Sequence, residues 1–160
     1  GKNVFHLSRL ETLMDEFPDA RFIHLLRDPR ESIPSTLSMF TKPWKVHSPD
    51  LVQEPRYYEQ MAKLFCDYNR HFLEIRDQSP QRILTLRYED LLRSPRETVE
   101  KACQHAGLEL NPEMLADLDQ QAQKQHHFSS HHHYELAEFS LTQDWLDQHS
   151  AEIRQRYFDS

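Results

Sequence analysis

An arginine and a serine, separated by eight positions, could together bind a phosphate group. Arg27 follows the mostly apolar run 21–26, and Ser35 lies further on in a predicted helix. Ligands of open α/β sheets bind at the carboxyl ends of strands, and a helix N-terminus adds N–H groups and a positive dipole end. A guanidinium can contact phosphate in a fork, and a serine can donate its hydroxyl. The alternative is that Arg27 pairs with Asp28 or Glu31 and that Ser35 is an ordinary helix residue.

A tyrosine after a second predicted strand could contact a planar base. Tyr88 ends the run 82–88, and its ring offers a flat face while its hydroxyl can reach a ring nitrogen. The alternative is a core aromatic residue at a strand end. The neighbouring carboxylates of Glu89 and Asp90 are expected to accept hydrogen bonds from loop and helix-cap N–H groups rather than to perform acid–base chemistry.

A predicted strand, tight turn and helix would position Arg27 and Ser35. The apolar run 21–26 is typical of a buried strand. Asp28 can cap the following helix, Pro29 suits its first position, and Glu31 completes a capping-box pattern. Pro34 then falls inside this helix, where it removes one backbone hydrogen bond and is expected to bend it.

Residues 41–56 contain three prolines and few aliphatic side chains, which favours a long surface loop. Such a loop in a compact domain often binds ligands, so we expect an acceptor lid around Trp44. A long amphipathic helix is predicted next, because aromatic and aliphatic residues recur every three or four positions. These residues are Tyr58, Met61, Phe65, Tyr68, Phe72 and Ile75.

Later helices are marked by residues that begin or end them. Starts are predicted at Ser94-Pro95, Asn111-Pro112 and Thr142, and a stop at Gly107. Helix-length connections between the two strand candidates indicate parallel pairing and an α/β layer fold.

Composition excludes several classes of function. The 160 residues carry a net charge of −7 with histidine neutral, which argues against a broad nucleic-acid-binding face. Only two glycines occur, and the phosphate loop Gly-x-x-x-x-Gly-Lys-Ser/Thr is absent from the sequence. No run approaches the roughly 20 apolar residues of a membrane span. Cys66 and Cys103 are isolated and are expected to be buried thiols.

A histidine-rich tract invites comparison with metal sites, because neutral imidazoles bind zinc or nickel. Its members are His126, His127, His131, His132 and His133. No cysteine is near them, and adjacent histidines cannot all face one ion. We therefore expect a polar loop and no metal.

Residues 17–35 resemble the 3′-phosphate-binding segment of sulfotransferases that use 3′-phosphoadenosine 5′-phosphosulfate (PAPS). The resemblance assigns Arg27 and Ser35 to the 3′-phosphate, since the family has an arginine at a strand end and a serine eight residues later. Residues 87–91, Arg-Tyr-Glu-Asp-Leu, resemble a second family segment. By that resemblance Tyr88 contacts the adenine end of PAPS.

Both chain ends add to this resemblance. Residues 2–6 are similar to the family's Lys-x-Pro-x-His segment, with Val4 in place of proline, which implies that Lys2 contacts the phosphosulfate and His6 acts as general base. Residues 133–142 resemble the tail of bacterial-type members. Many members carry an Arg-Lys-Gly-like stretch shortly before that tail, whereas residues 128–132 here are Phe-Ser-Ser-His-His. Substitutes for the missing cations would be Lys124, His131 or His132.

The resemblance implies a P-loop NTPase-like fold, a three-layer α/β architecture around a parallel sheet. Residues 1–160 would be its C-terminal portion, without the 5′-phosphosulfate loop, and inactive alone. The expected activity is sulfuryl transfer from PAPS to a hydroxyl or amine of a small molecule, glycan or peptide, without a metal, in the cytoplasm. The alternatives are a degenerate, non-catalytic sulfotransferase-like domain and a P-loop nucleotide kinase relative.

The role of His6 can be tested in the complete protein. We expect His6→Ala to lower turnover by roughly 10²–10⁴-fold, the usual contribution of a general base, with little change in cofactor affinity. Steady-state kinetics and cofactor titration measure the two effects. Unchanged turnover would assign the proton transfer to another group.

Overall fold

The computed structural model describes residues 8–125 and 134–159. Within these ranges the chain forms two compact units. Of the described residues, the first unit contains 8–9, 28–74 and 134–159, and the second contains 10–27 and 75–125.

Eight α-helices and two β-strands occur in the described ranges. The strands are β1 (Phe22–Leu26) and β2 (Ile83–Arg87). The helices are α1 (Leu10–Glu16), α2 (Pro29–His47), α3 (Pro49–Val52), α4 (Pro55–Gln78), α5 (Tyr88–Arg93), α6 (Pro95–Ala106), α7 (Pro112–Gln125) and α8 (Gln143–Tyr157). A 3₁₀ turn, Leu136–Phe139, precedes α8.

The two strands pair in parallel, as the strand–helix alternation predicts. Phe22 lies opposite Ile83 and Leu26 lies opposite Arg87. The apolar run is not buried throughout, however. Period-two alternation buries His24 and Leu26, whereas Ile23 and Leu25 on the other face are 45% and 46% exposed.

The helix-start signals of the sequence are largely confirmed. Asp28 accepts a hydrogen bond from the Arg30 N–H, and Thr142 accepts one from the Trp145 N–H. Asn111 accepts one from the Met114 N–H, so it caps α7. Gly107 ends α6 with φ of 71°, in the left-handed region that favours glycine.

The expected loop over residues 41–56 is wrong. Helix α2 continues through Pro43 to His47, and Pro49 and Pro55 stand at the first positions of α3 and α4. Proline is accepted there because the first helical N–H has no intrahelical partner. Trp44 therefore belongs to α2, where its ring lies 5.6 Å from that of Tyr58, and not to a loop.

The first unit has its own hydrophobic core. Buried side chains from α2, α4, α8 and the segment before α8 form this cluster. Its members include Ile33, Leu37, Tyr58, Ala62, Phe65, Cys66, Phe139, Leu141 and Leu146. Burial raises the pKa of the Cys66 thiol to about 11, so this thiol stays protonated at neutral pH and is a poor nucleophile.

The second unit packs around the strand pair. Leu10, Leu26 and Ile83 are each 2% exposed. The Arg82 guanidinium donates to the carbonyl oxygens of Met14 and Phe17, which fixes the chain between α1 and β1. None of the helices described in residues 8–125 and 134–159 is long and apolar enough to cross a membrane.

A matched leucine pair tests the second unit's core. Leu26→Ala is expected to lower the free energy of unfolding by about 2–5 kcal/mol, because it removes buried methyl groups and leaves a cavity. Leu108→Ala is the control, since Leu108 is 63% exposed, and it should change that free energy by about 0.5 kcal/mol or less. Urea unfolding measures both, and similar losses would contradict the assigned burial.

Candidate cofactor-binding site

Arg27 and Tyr88 lie side by side after the carboxyl ends of the two strands. Since Leu26 pairs with Arg87, the parallel register brings the next residue of each chain segment together. The Arg27 guanidinium carbon lies 5.3 Å from the centre of the Tyr88 ring. Both residues belong to the second unit, so one strand pair positions a cation and an aromatic ring at the sheet edge where ligands bind.

The pair has the chemistry to bind an aromatic phosphate ester. Arg27 and Tyr88 are both half-buried, so each keeps part of its surface accessible. A guanidinium is planar and presents its N–H groups as a rigid fork that suits paired contacts to phosphate oxygens, and it can also lie over an aromatic face.

The turn that carries Tyr88 is held by an ion pair. Arg87 donates two hydrogen bonds to the Asp90 carboxylate, at 2.8 and 2.6 Å. These bonds lower the pKa of Asp90 and raise the pKa of Arg87. We expected Asp90 to accept from cap N–H groups, whereas its carboxylate accepts from a side chain. The i, i+3 spacing of Arg87 and Asp90 was the signal for this contact.

A pocket of about 310 Å³ opens beside Tyr88 within the second unit. Its lining comes from α5, α6 and α7 and is mostly apolar. Leu91, Val99 and Leu118 contribute aliphatic surface, and Gln121 adds an amide. A pocket with apolar walls and few polar groups is typical of small-molecule sites.

Ser35 lies in the second turn of α2, in the first unit, and is half-buried. The start of this helix is well defined. Besides the side-chain cap, the Asp28 carbonyl accepts from the N–H groups of Glu31 and Ser32. Arg27 and Ser35 thus fall in different units, and their joint role stays a prediction from their spacing in sequence.

An ion-pair network joins the start of α2 to α8 within the first unit. The Arg30 guanidinium donates to both oxygens of Asp147, at 2.8 and 2.6 Å. Arg154, whose side chain is only 9% exposed, lies 3.7 Å from the same carboxylate and also pairs with Asp159. Sequence reasoning missed this network, because Arg30 and Asp147 are 117 positions apart and no local pattern links them.

Several predicted residues lie outside the described ranges. These are Lys2, His6 and the histidine-rich tract, including His131 and His132. Lys124 is described, at the end of α7, where its ammonium donates to Gln120 at 3.3 Å. In the part of the chain that the structure describes, no cluster of three His, Cys, Asp or Glu side chains could hold a metal ion.

Comparison with known proteins identifies the family of the chain. The model of the sulfotransferase family matches residues 1–112, a stretch that includes Arg27, Ser35 and Tyr88. The chain belongs to the sulfotransferase family. The resemblance inferred from the sequence is thereby confirmed.

Relatives of this sulfotransferase family chain come from bacteria and mammals. An omega-hydroxy-beta-dihydromenaquinone-9 sulfotransferase of Mycobacterium bovis is 31% identical, and the alignment covers 98% of this chain and 40% of that protein. A 3-alpha-hydroxysteroid sulfotransferase of Cavia porcellus is 32% identical over 59% of this chain and 33% of its own length. The chain thus spans about 40% of the length of the first relative.

A solved structure shows the same fold. The sulfotransferase STF9 from Mycobacterium avium matches with a TM-score of 0.79 and 22% identity. The match covers 97% of this chain and 40% of that one. It confirms the predicted α/β sulfotransferase fold.

Acid should weaken the network around Asp147. Hydrogen bonds from Arg30, with a smaller contribution from Gln143, lower the pKa of Asp147 from 3.8 to about 2. Because the pKa is lowered in the folded state, the contribution of the ionised Asp147 to the free energy of unfolding is present above about pH 4 and is lost as pH falls through about 2. We expect the free energy of unfolding to fall more steeply between these pH values in the wild type than in Asp147→Asn.

The control for this titration is Asp144→Asn, which removes an exposed carboxylate from the same helix. It should keep the wild-type pH dependence in chemical unfolding. Identical slopes for the wild type and Asp147→Asn would contradict the assigned role of the ion pair.

Proposed function

We propose that the protein transfers a sulfuryl group from PAPS to an acceptor hydroxyl or amine. The observation that carries this proposal is the Arg27 guanidinium over the Tyr88 ring at 5.3 Å, at the carboxyl ends of adjacent parallel strands. Membership of the sulfotransferase family supports it and favours it over the nucleotide kinase alternative. The assignment of residues 1–160 to the C-terminal portion of one such domain stays a prediction.

Three residues are assigned to the donor. Arg27 and Ser35 bind the 3′-phosphate, through a charged fork and a hydroxyl respectively. Tyr88 contacts the adenine, for which the neighbouring apolar pocket offers room. The donor fits these residues, because a guanidinium beside an aromatic ring matches a phosphate attached to a nucleoside.

The chemical step moves one sulfuryl group between two oxygens, or from oxygen to nitrogen. The bond between sulfur and the 5′-phosphate oxygen breaks, and a bond from sulfur to the acceptor forms. His6 accepts the acceptor proton, and Lys2 neutralises the charge that develops on the leaving phosphate oxygen. Both roles rest on the sequence motif, since these residues lie outside the described ranges.

We propose a small molecule with a hydroxyl group on an apolar skeleton as acceptor. The names of the relatives support this choice, because they specify a hydroxylated menaquinone and a hydroxysteroid. A glycan or peptide acceptor has no such support. The cytoplasmic location stays a prediction.

A second candidate is a sulfotransferase-like domain that binds the nucleotide without catalysis. Residues 128–132 favour it, because they contain no arginine or lysine where many members hold the 3′-phosphate. In the catalytic candidate, Lys124, His131 or His132 would substitute for the missing arginine and lysine. The two candidates differ in one measurable outcome, which is sulfuryl transfer.

Calorimetry on the complete protein tests the donor site. Arg27→Ala should weaken binding of 3′-phosphoadenosine 5′-phosphate by about 1.5–3 kcal/mol, the contribution of a hydrogen bond to a charged group. Adenosine 5′-phosphate, which lacks the 3′-phosphate, should bind with nearly unchanged affinity. Arg93→Ala is the control, because the Arg93 side chain is 70% exposed on α5.

The same preparation separates the two candidates. Mass spectrometry of a hydroxysteroid acceptor incubated with PAPS should detect a sulfated product that depends on His6. Binding without product would favour the non-catalytic candidate. If Arg27→Ala weakened binding of both nucleotides equally, Arg27 would not be a ligand of the 3′-phosphate.

A further inference from the structure

The first turn of α2 is weakened by its own sequence. An α-helix is held by hydrogen bonds from each N–H to the carbonyl four residues earlier. Pro34 has no N–H, so the Arg30 carbonyl receives no helical hydrogen bond from position 34. One of the bonds that should join the first turn to the rest of the helix is therefore missing, just before Ser35.

The side chain of Arg30 supplies a connection that the backbone lacks. The backbone N–H of Arg30 donates to the Asp28 carboxylate at 2.9 Å, and the Arg30 guanidinium donates two hydrogen bonds to Asp147. The first turn of α2 is thus held both at its cap and from α8. A forked arginine–carboxylate contact fixes orientation as well as distance.

The far side of this contact is itself held in place. Asp147 accepts from Gln143 at 2.8 Å and lies beside Arg154, whose side chain is 9% exposed and pairs with Asp159. Leu146, next to Asp147 in sequence, is fully buried in the core of the first unit. The carboxylate is therefore anchored beside the core of the first unit.

We propose that Asp147 is a positioning residue for nucleotide binding, which holds Arg30 so that the first turn of α2 presents Ser35 to the 3′-phosphate. This inference rests on the proposed function, because Ser35 is assigned to the 3′-phosphate there. Ser35 needs a fixed location, since a displacement of about 1 Å from the productive position is enough to impair a binding site. Asp147 acts through Arg30 and does not touch the nucleotide.

The alternative role of Arg30 is that of a direct phosphate ligand. If Arg30 were itself a phosphate ligand, Asp147 would compete with the phosphate for the guanidinium. Removal of the Asp147 charge would then release Arg30 and strengthen nucleotide binding. If Asp147 positions α2, the same substitution weakens nucleotide binding, so the direction of the change decides between the two roles.

The experiment measures nucleotide affinity of the complete protein by calorimetry, for the wild type, Asp147→Asn and Asp144→Asn. We expect Asp147→Asn to bind 3′-phosphoadenosine 5′-phosphate about five- to twentyfold more weakly, the scale on which residues outside a site modulate binding. Adenosine 5′-phosphate should bind with nearly unchanged affinity. Asp144→Asn should match the wild type for both nucleotides, because this exposed carboxylate lies on the same helix without the Arg30 contact.

Conservative variants show whether geometry is responsible. Asp147→Glu keeps the charge and should restore part of the affinity. Arg30→Lys keeps a cation but loses the fork, so it should weaken binding of 3′-phosphoadenosine 5′-phosphate selectively. If Asp147→Asn does not fold, Arg30→Lys still tests the inference, because Asp147 remains in place as the partner of Arg154. Unchanged affinity in Arg30→Lys would overturn the inference.

The remaining outcomes are distinguishable. Equal or tighter binding of 3′-phosphoadenosine 5′-phosphate by a folded Asp147→Asn overturns the inference and leaves the proposed function standing. If Asp147→Asn binds both nucleotides more weakly by the same factor, Asp147 has a purely structural role, and this outcome also overturns the inference. Absence of nucleotide binding by the wild type overturns the proposed function, and the inference with it.

Discussion

Parallel pairing of β1 with β2 is the constraint on which the candidate site depends. In a parallel pair the carboxyl ends of both strands lie at the same edge, so residues that leave the strands together remain neighbours. The pairing of Leu26 with Arg87 therefore places Arg27 beside Tyr88, although 60 residues separate them in the chain. A shift of one position would turn the buried side chains of each strand to the opposite face, so burial of Leu26 and Ile83 also fixes this register.

The segment after β1 combines a strong helix start with a weak continuation. Asp28 and Pro29 favour helix formation at that point, whereas Pro34 removes a hydrogen bond one turn later. The fork from Arg30 to Asp147 ties this turn to another helix, and Arg154 lies 3.7 Å from the same carboxylate. Local sequence thus defines where α2 begins, and a distant ion pair joins its first turn to α8.

Sequence patterns were informative where the controlling contacts are local. Caps at Asp28, Asn111 and Thr142 lie within three residues of the N–H groups that they bind, and the left-handed stop at Gly107 depends on one residue. The prolines of residues 41–56 led to the wrong prediction of a loop, because proline is typical both of loops and of first helical positions. In the structure the partly buried Trp44 packs against Tyr58 of α4, a contact that local sequence does not reveal.

The amino-acid sequence by itself determined the family resemblance, the parallel strand pair and the identity of Arg27, Ser35 and Tyr88 as candidates. Spacing and residue type carry this information, because strand ends and helix starts are set by neighbours in the chain. Only the tertiary structure decided which face of β1 is buried and that Arg30 meets Asp147. An ion pair between residues 117 positions apart depends on the packing of whole helices, and no pattern along the chain encodes that distance.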